Sequence, residues 1–298
     1  MSSTQQSFDS ERAFYMAKGA AEVVYNAFSK KQPIPEGPPI RHENGEYIFP
    51  FDGGEAHVHF ESNAGLIDLN AASDLLLGSM FDSLGVSEET RNRLVDSILD
   101  WRDADDIPHL YGAEVNDYAE NTPSHVSRPR NAPFQSVDEL LLVKNMTPEL
   151  FYGSFNVDSA TGRYHRVPGV RDLVTVYSGI SKVDVNEASA DVLAAIPAMT
   201  PTLADRITKE RVEEKFANLD DLAKRVPEMF NSGALPYLTV DGATVPSLLV
   251  SRATIGSSSV SRTVRLLFKR EQKTQILLYM PLIYKKTMEA RFDRWRFE

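Results

Sequence analysis

The feature that most constrains this chain is a duplication. Ile67-Asp68-Leu69-Asn70-Ala71-Ala72-Ser73 returns as Val183-Asp184-Val185-Asn186-Glu187-Ala188-Ser189, an offset of 116 residues. A second phrase, Phe134-Gln135-Ser136-Val137-Asp138-Glu139-Leu140, returns as Phe216-Ala217-Asn218-Leu219-Asp220-Asp221-Leu222, now at an offset of 82. Self-similarity of this kind marks one supersecondary unit used twice. The two offsets differ by 34, so the first unit contains 34 residues that the second lacks, and they fall between Ala72 and Phe134. In each copy an Asn closes an extended stretch and precedes helix-compatible residues, which predicts Asn70 and Asn186 as N-caps. Ser136 with Glu139 has the form of a capping box, and Asn218 with Asp221 is a weaker version of it.

The flanking sequence reads differently. Phe14, Ala17, Ala21, Val24 and Phe28 step by three or four residues, which places them on one stripe of an amphipathic N-terminal helix. That stripe is a candidate partner-binding surface, with packing on the chain's own sheet as the alternative. Residues 31–41, with four prolines and a glycine, stop the helix and read as an extended connector. The runs EYIFPF and EAHVHFE follow, joined by Asp52-Gly53-Gly54, a turn sequence that closes a hairpin. Within the second run His57 and His59 share one strand face, an i, i+2 pair that can hold a metal or serve as polar surface. From Tyr237 onward the branched and aromatic runs LTV, SLLVSRATI, SRTVRLLFKR and TQILLYMPLIY predict strands. The fold class is therefore α+β: an N-terminal helix and small antiparallel sheet, interrupted by a large all-helical insertion. The expected boundaries are 1–64, 65–235 and 236–298.

The excess in the first unit is the acidic, turn-rich stretch from Asp103 to Asn131. Asp103, Asp105, Asp106, Glu114 and Asp117 repel one another unless they are solvated or bridged by a cation. Asp103, Asp105 and Glu114 fall at positions 1, 3 and 12 of an EF-hand register, but Ile107 and Pro108 stand at positions 5 and 6, so the stretch is not an EF-hand. A calcium-stapled loop of another kind and a plain solvated acidic loop both remain open.

Net charge and motifs exclude other classes. The formal charge of −10 and a pI near 5.2 disfavour polyanionic partners, although residues 261–298 hold ten Lys or Arg against four Asp or Glu. That basic end is either a solvated strand surface or a docking face for an acidic partner. Cysteine is absent, which removes thiol catalysis and zinc-thiolate sites. No apolar run reaches the ~18–20 residues of a membrane span. Phosphate-binding glycine loops, H-E-x-x-H and G-x-S-x-G are missing, and the six histidines show no catalytic spacing, so an enzyme is not expected. Residues 183–222 look like a helix-hairpin-helix, which raises a nucleic-acid-binding alternative. Its hairpin, Pro197-Ala198-Met199-Thr200-Pro201, lacks the glycines that let a backbone approach phosphate.

LVDSILDWRDADD continuing to YGAE at 94–114, RNAPFQSVDELLLVKNMTPELFYG at 130–153 and GLIDLN at 65–70 resemble the K-type minor pseudopilins of the bacterial type II secretion system. The resemblance runs from ERAFYMAKGAAE at 11–22 to the C-terminal strands, the last part in character only. It implies a pseudopilin body carrying a large helical domain with two helix-hairpin-helix-like units. It also implies a role at the tip of the periplasmic pseudopilus with the I- and J-type minor pseudopilins. Calcium is implied in the inserted domain, a role carried onto Asp103, Asp105, Glu114 and Asp117. Such a protein is held in the inner membrane by an apolar N-terminal helix that this chain does not show before Ser10, so the expectation is a truncated soluble portion or a mis-set start.

Overall fold

The computed structural model describes residues 3–34, 40–119, 129–158, 161–242, 245, 247–256, 260–269 and 275–282. The chain divides into two compact units, one formed by residues 1–61 with 246–298 and the other by 62–245. The first boundary lies close to the one expected; the second lies ten residues later, because LTV belongs to the helical unit.

In the first unit α1 (Ser3–Ser29) buries Asp9, Ala13, Met16, Ala17, Ala20, Ala21, Val24 and Ala27, a stripe made mostly of alanine. Small side chains let the helix lie close on a sheet, and it covers Phe49, Ala56, Val58, Leu249, Ala253, Val264 and Leu266. The sheet has six strands in the order β1 (Arg41–Glu43), β2 (Glu46–Phe51), β3 (Gly54–Ser62), β10 (Ser247–Ile255), β11 (Ser261–Lys269), β12 (Gln275–Leu282). Asp52 and Gly53 form the expected turn, with Gly53 at φ +75°. Asn44 and Gly45, both at positive φ, close an additional hairpin between β1 and β2. Ala17, Ala21 and Val24 are fully buried beneath the chain's own sheet. This corrects the partner-binding stripe: those three side chains are core, while Phe14 and Phe28 pack at its margin, Phe28 against Phe60 with ring centroids 4.6 Å apart.

The second unit holds β4 (Ile67–Asp68), α2 (Asp74–Ser83), α3 (Glu88–Arg102), α4 (Val115–Ala119), α5 (Pro148–Tyr152), β5 (Ser154–Val157), β6 (Tyr164–Val167), β7 (Val174–Thr175), β8 (Val183–Asp184), α6 (Ala190–Ala194), α7 (Pro201–Glu213), α8 (Leu219–Arg225) and β9 (Leu238–Thr239). It is mainly helical rather than all-helical. β5 and β6 form an antiparallel hairpin, and β4 with β7 and β8 with β9 form two-residue parallel bridges. One core runs through both copies, including Phe81, Ile98, Trp101, Leu193, Ile207 and Leu222.

The duplication is visible bond for bond. Asp68 accepts from the Asn70 N–H at 2.7 Å and the Gly179 N–H at 2.7 Å; Asp184 accepts from Asn186 at 2.7 Å and Gly242 at 2.6 Å. The Asn70 amide donates to the Phe134 carbonyl at 3.0 Å and accepts from its N–H at 2.7 Å. Asn186 clamps Phe216 in the same way at 2.9 and 2.8 Å. Asn70 and Asn186 are therefore not N-caps. Ser73 and Ser189 cap α2 and α6, accepting from Leu76 and Val192 at 3.2 Å. An amide that both donates and accepts can saturate one residue of a distant segment, which a serine hydroxyl three residues later leaves it free to do. The predicted boxes do cap: Ser136 and Glu139 reciprocate on a 3-10 turn, and Asn218 accepts from the Asp221 N–H at 2.8 Å.

Candidate metal centre

The clamp on Phe134 spans 64 residues where that on Phe216 spans 30, so the first copy must accommodate a long excursion between fixed ends. Its path starts at α3. Asp100, fully buried, accepts from the His109 N–H at 3.0 Å, from His109 Nδ1 and from the Ala113 N–H at 2.7 Å. The loop can come this close only because residue 112 is glycine; a Cβ there would lie 1.8 Å from Asp100 Oδ2. At the end of the same helix Arg102 donates to the carbonyls of Leu69 and Ala72, and Trp101 stacks on Phe134 with centroids 6.0 Å apart. His109 is thus a loop fastener.

Inside this frame several oxygens lack donors. Both carboxylate oxygens of Glu114, Asp103 Oδ1 and Asn131 Oδ1 are buried without a hydrogen-bond partner. Burial raises the Asp103 carboxyl, helped by Asp105. Burial also pushes Glu114 up to about 7, with Asp100, Asp103, Asp106 and Asp105 adding to it. Asn131, at φ +47°, donates through its amide nitrogen to the Asp105 carbonyl at 2.8 Å and Asp106 Oδ1 at 2.7 Å, which leaves its own oxygen without a donor. Buried acceptor-only oxygens without donors are what a hard divalent cation satisfies.

Of the four expected ligands, Asp103 and Glu114 carry such oxygens. Asp105 is exposed, its carboxylate accepting from the Ile107 N–H at 2.9 Å. Asp117 is engaged elsewhere: it accepts from the Glu114 N–H at 3.0 Å and pairs with Lys144 at 3.4 Å. Asp100, Asp103 and His109 also bring one ligand atom each within 4.8 Å of the others, but Asp100 is already saturated by the loop. Asn131 was missed because an amide oxygen has no charge to draw attention; its place in RNAPF was the available signal. Residues 120–128, in the middle of the excursion, lie outside the described residues, as do His125 and most of the basic C-terminal end.

The profile described as type II secretion system protein K matches residues 61–152, the stretch that holds this excursion, and a helix-hairpin-helix motif profile matches 178–229. Type II secretion system protein K of Pseudomonas aeruginosa is 30% identical over 188 residues. Over these residues the chain is similar to the type II secretion system protein K family. The Pseudomonas alignment covers 60% of this chain and 51% of that protein, so the chain spans about half the length of the curated relative it matches. Among solved structures, a chain of the GspK-GspI-GspJ complex from enterotoxigenic Escherichia coli superposes with a TM-score of 0.63 at 16% identity, covering 94% of this chain and 99% of that one. The fold likeness to that solved chain therefore covers residues of both units. No helix among the described residues is long and apolar enough to cross a membrane.

In the second copy the hairpin between α6 and α7 places Ala198 at φ +62°, a conformation that disfavours any Cβ. The first copy has Gly85 at φ +74° at the matching turn between α2 and α3.

Proposed function

We propose that this protein is a minor pseudopilin that caps the tip of a type II secretion pseudopilus and helps initiate its assembly with the I- and J-type minor pseudopilins. In this reading it works in the periplasm, held to the inner membrane by an N-terminal helix, has no catalytic turnover, and serves export across the outer membrane. The observation that carries it is the coincidence of two matches. The protein K profile falls on the segment with the enlarged first copy, and the fold follows a chain of the GspK-GspI-GspJ assembly along nearly its whole length. Calcium in this reading is held by Asp103, Glu114 and Asn131 with Asp105 and Asp106 nearby. It would neutralise the excursion and fix its path over α3.

Mixing the chain with soluble I- and J-type pseudopilins of the same system, followed by size-exclusion chromatography, is expected to give one co-eluting ternary species. Three separate peaks at concentrations of tens of micromolar would overturn the assignment. The helix-hairpin-helix match does not favour nucleic acid, because the net charge is −10 and the second hairpin has lost its glycine.

A further inference from the structure

The sheet face opposite α1 carries a charged cluster that lies wholly within the first unit. Glu55, His57, His59 and Glu61 alternate along β3 with residues such as Ala56 and Val58, which lie in the core beneath the helix. Tyr47 on β2 faces Val58, and the same register sets Glu46 directly across from His59 and diagonal to His57. One oxygen of Glu46 is 2.9 Å from His57 Nδ1, and the other is 3.5 Å from His59 Nδ1. The outer ring nitrogens are engaged as well: His57 Nε2 meets Glu55 at 3.1 Å and His59 Nε2 meets Glu61 at 3.1 Å.

A neutral imidazole has one N–H to donate, whereas a charged one has two. Each ring here has a carboxylate oxygen beside both of its nitrogens, so the protonated form is the one that answers every contact. The directions of titration agree. Burial lowers His57, but the bonds to Glu55 and Glu46 outweigh it and raise the ring above its ordinary 6.5. The bond to Glu61 raises His59 against burial and against Arg265 of β11, and the same bond holds Glu61 below the usual carboxylate range. Two further arginines share this face. Arg41 of β1 stands between Glu43 at 3.3 Å and Glu55 at 3.7 Å, and Arg252 of β10 is exposed between the buried Ser251 and Ala253. The sequence of β12, QILLYMPL, holds no charged residue. With the rings neutral, the described residues therefore set Arg41, Arg252 and Arg265 against Glu43, Glu46, Glu55 and Glu61, and with both rings charged the balance turns positive.

We propose that Glu46, His57 and His59 form a proton-loaded clasp between β2 and β3, closed when both rings are charged and slack when they are neutral. Glu46 is its hub, since it meets both rings from the neighbouring strand while Glu55 and Glu61 meet them from β3 itself. Among the described residues β1 joins the sheet only through β2, so the clasp governs the whole β1–β2 hairpin at the sheet's edge. In an opened hairpin the rings return to about 6.5. Their contribution is therefore complete below that pH and is lost as pH rises through the higher values of the closed form. The edge is firm in mildly acidic surroundings and loosens in basic ones, whatever the chain assembles with.

The test follows the two rings of the full chain by their imidazole proton resonances, beside amide exchange resolved by peptide and corrected for the intrinsic rate at each pH. Both rings are expected to titrate above about 6.5. Across that range the protection of β2 and β3 should fall about tenfold for each unit of the summed upward shift of the two rings. Peptides from 88–119 report Glu114 in the other unit separately. Glu46→Gln, close in size, should bring both rings down and flatten the pH dependence of protection in β2, while Glu55→Gln should lower His57 alone and Glu61→Gln His59 alone. The His57→Gln, His59→Gln double variant should lose the pH dependence entirely; if it does not fold, Glu46→Gln carries that expectation. Rings that titrate at or below the ordinary value, or protection of β2 that ignores their titration, overturn the proposal.

Discussion

Replacing Glu114 by Gln is expected to stabilise the protein in chelator and to destabilise it in calcium. Glu114 is almost fully buried, and its carboxyl is raised from 4.5 to about 7. An acid whose folded value is raised holds its proton more tightly when folded. The ion-free chain therefore has its full stability below about pH 4.5, loses it progressively as pH rises toward 7, and carries the whole penalty above that. A shift of this size is worth ~3 kcal/mol. Glutamine cannot ionise, so at pH 8 in chelator Glu114→Gln should gain most of that amount, roughly 6–12 °C in Tm for a unit of this size. In calcium the order reverses, because at a thousandfold excess over Kd the wild type gains ~4.1 kcal/mol, more than the penalty, while the variant has lost a ligand. At pH 4 in chelator the two should melt together. Scanning calorimetry under the three conditions decides it. A variant that melts at or below wild type in chelator at pH 8, or a wild type indifferent to calcium, refutes the reasoning.

Gly112→Ala drives a methyl into Asp100, 1.8 Å from Oδ2, and should cost about 3 kcal/mol in denaturant unfolding. Asn70→Ala and Asn186→Ala each remove two hydrogen bonds to one backbone residue and should cost about 2 kcal/mol apiece. Only Asn70→Ala, which frees the end of the excursion, should also weaken calcium binding in calorimetry. Ala198→Gly relieves a left-handed alanine at φ +62° and should stabilise by about 1 kcal/mol in urea. It should give no duplex-DNA gel shift at low salt.

What could be read from the sequence were the periodicities and the duplication. The alanine-rich stripe of α1 and the Asp52-Gly53 turn follow from residue type at fixed spacing, and the 34-residue excess needs only counting. The Asn44-Gly45 turn was equally local, and its dipeptide is a strong hairpin signal that lay unused beside the proline-rich connector. The tertiary roles were not legible. Asn, Ala, Ala and Ser in succession offer two capping candidates, and nothing local says that Ser73 caps while Asn70 reaches Phe134. Leu238 and Thr239 read as the start of the closing sheet because a two-residue parallel bridge to β8 has no pattern of its own. At the candidate centre the acidic run was evident. Its division into a saturated Asp100, orphaned oxygens on Asp103 and Glu114, and an occupied Asp117 depends on which backbone N–H groups the loop brings near.

The hydrogen bond from the Gly256 N–H to the Gly53 carbonyl, at 2.9 Å, sits where β10 ends beside the start of β3. The two strands thus run antiparallel as neighbours, and Ser62 leaves the sheet beside the point where Ser247 rejoins it. Exit and re-entry are separated by about one interstrand spacing, ~4.8 Å, a gap that a reverse turn of two residues could bridge. The host sheet therefore makes no demand on how long the detour is. Such a doorway tolerates cargo of any size, which gives a physical reason why a structure as small as a pilin-like sheet can carry a duplicated, separately cored passenger and why that passenger's first copy was free to lengthen.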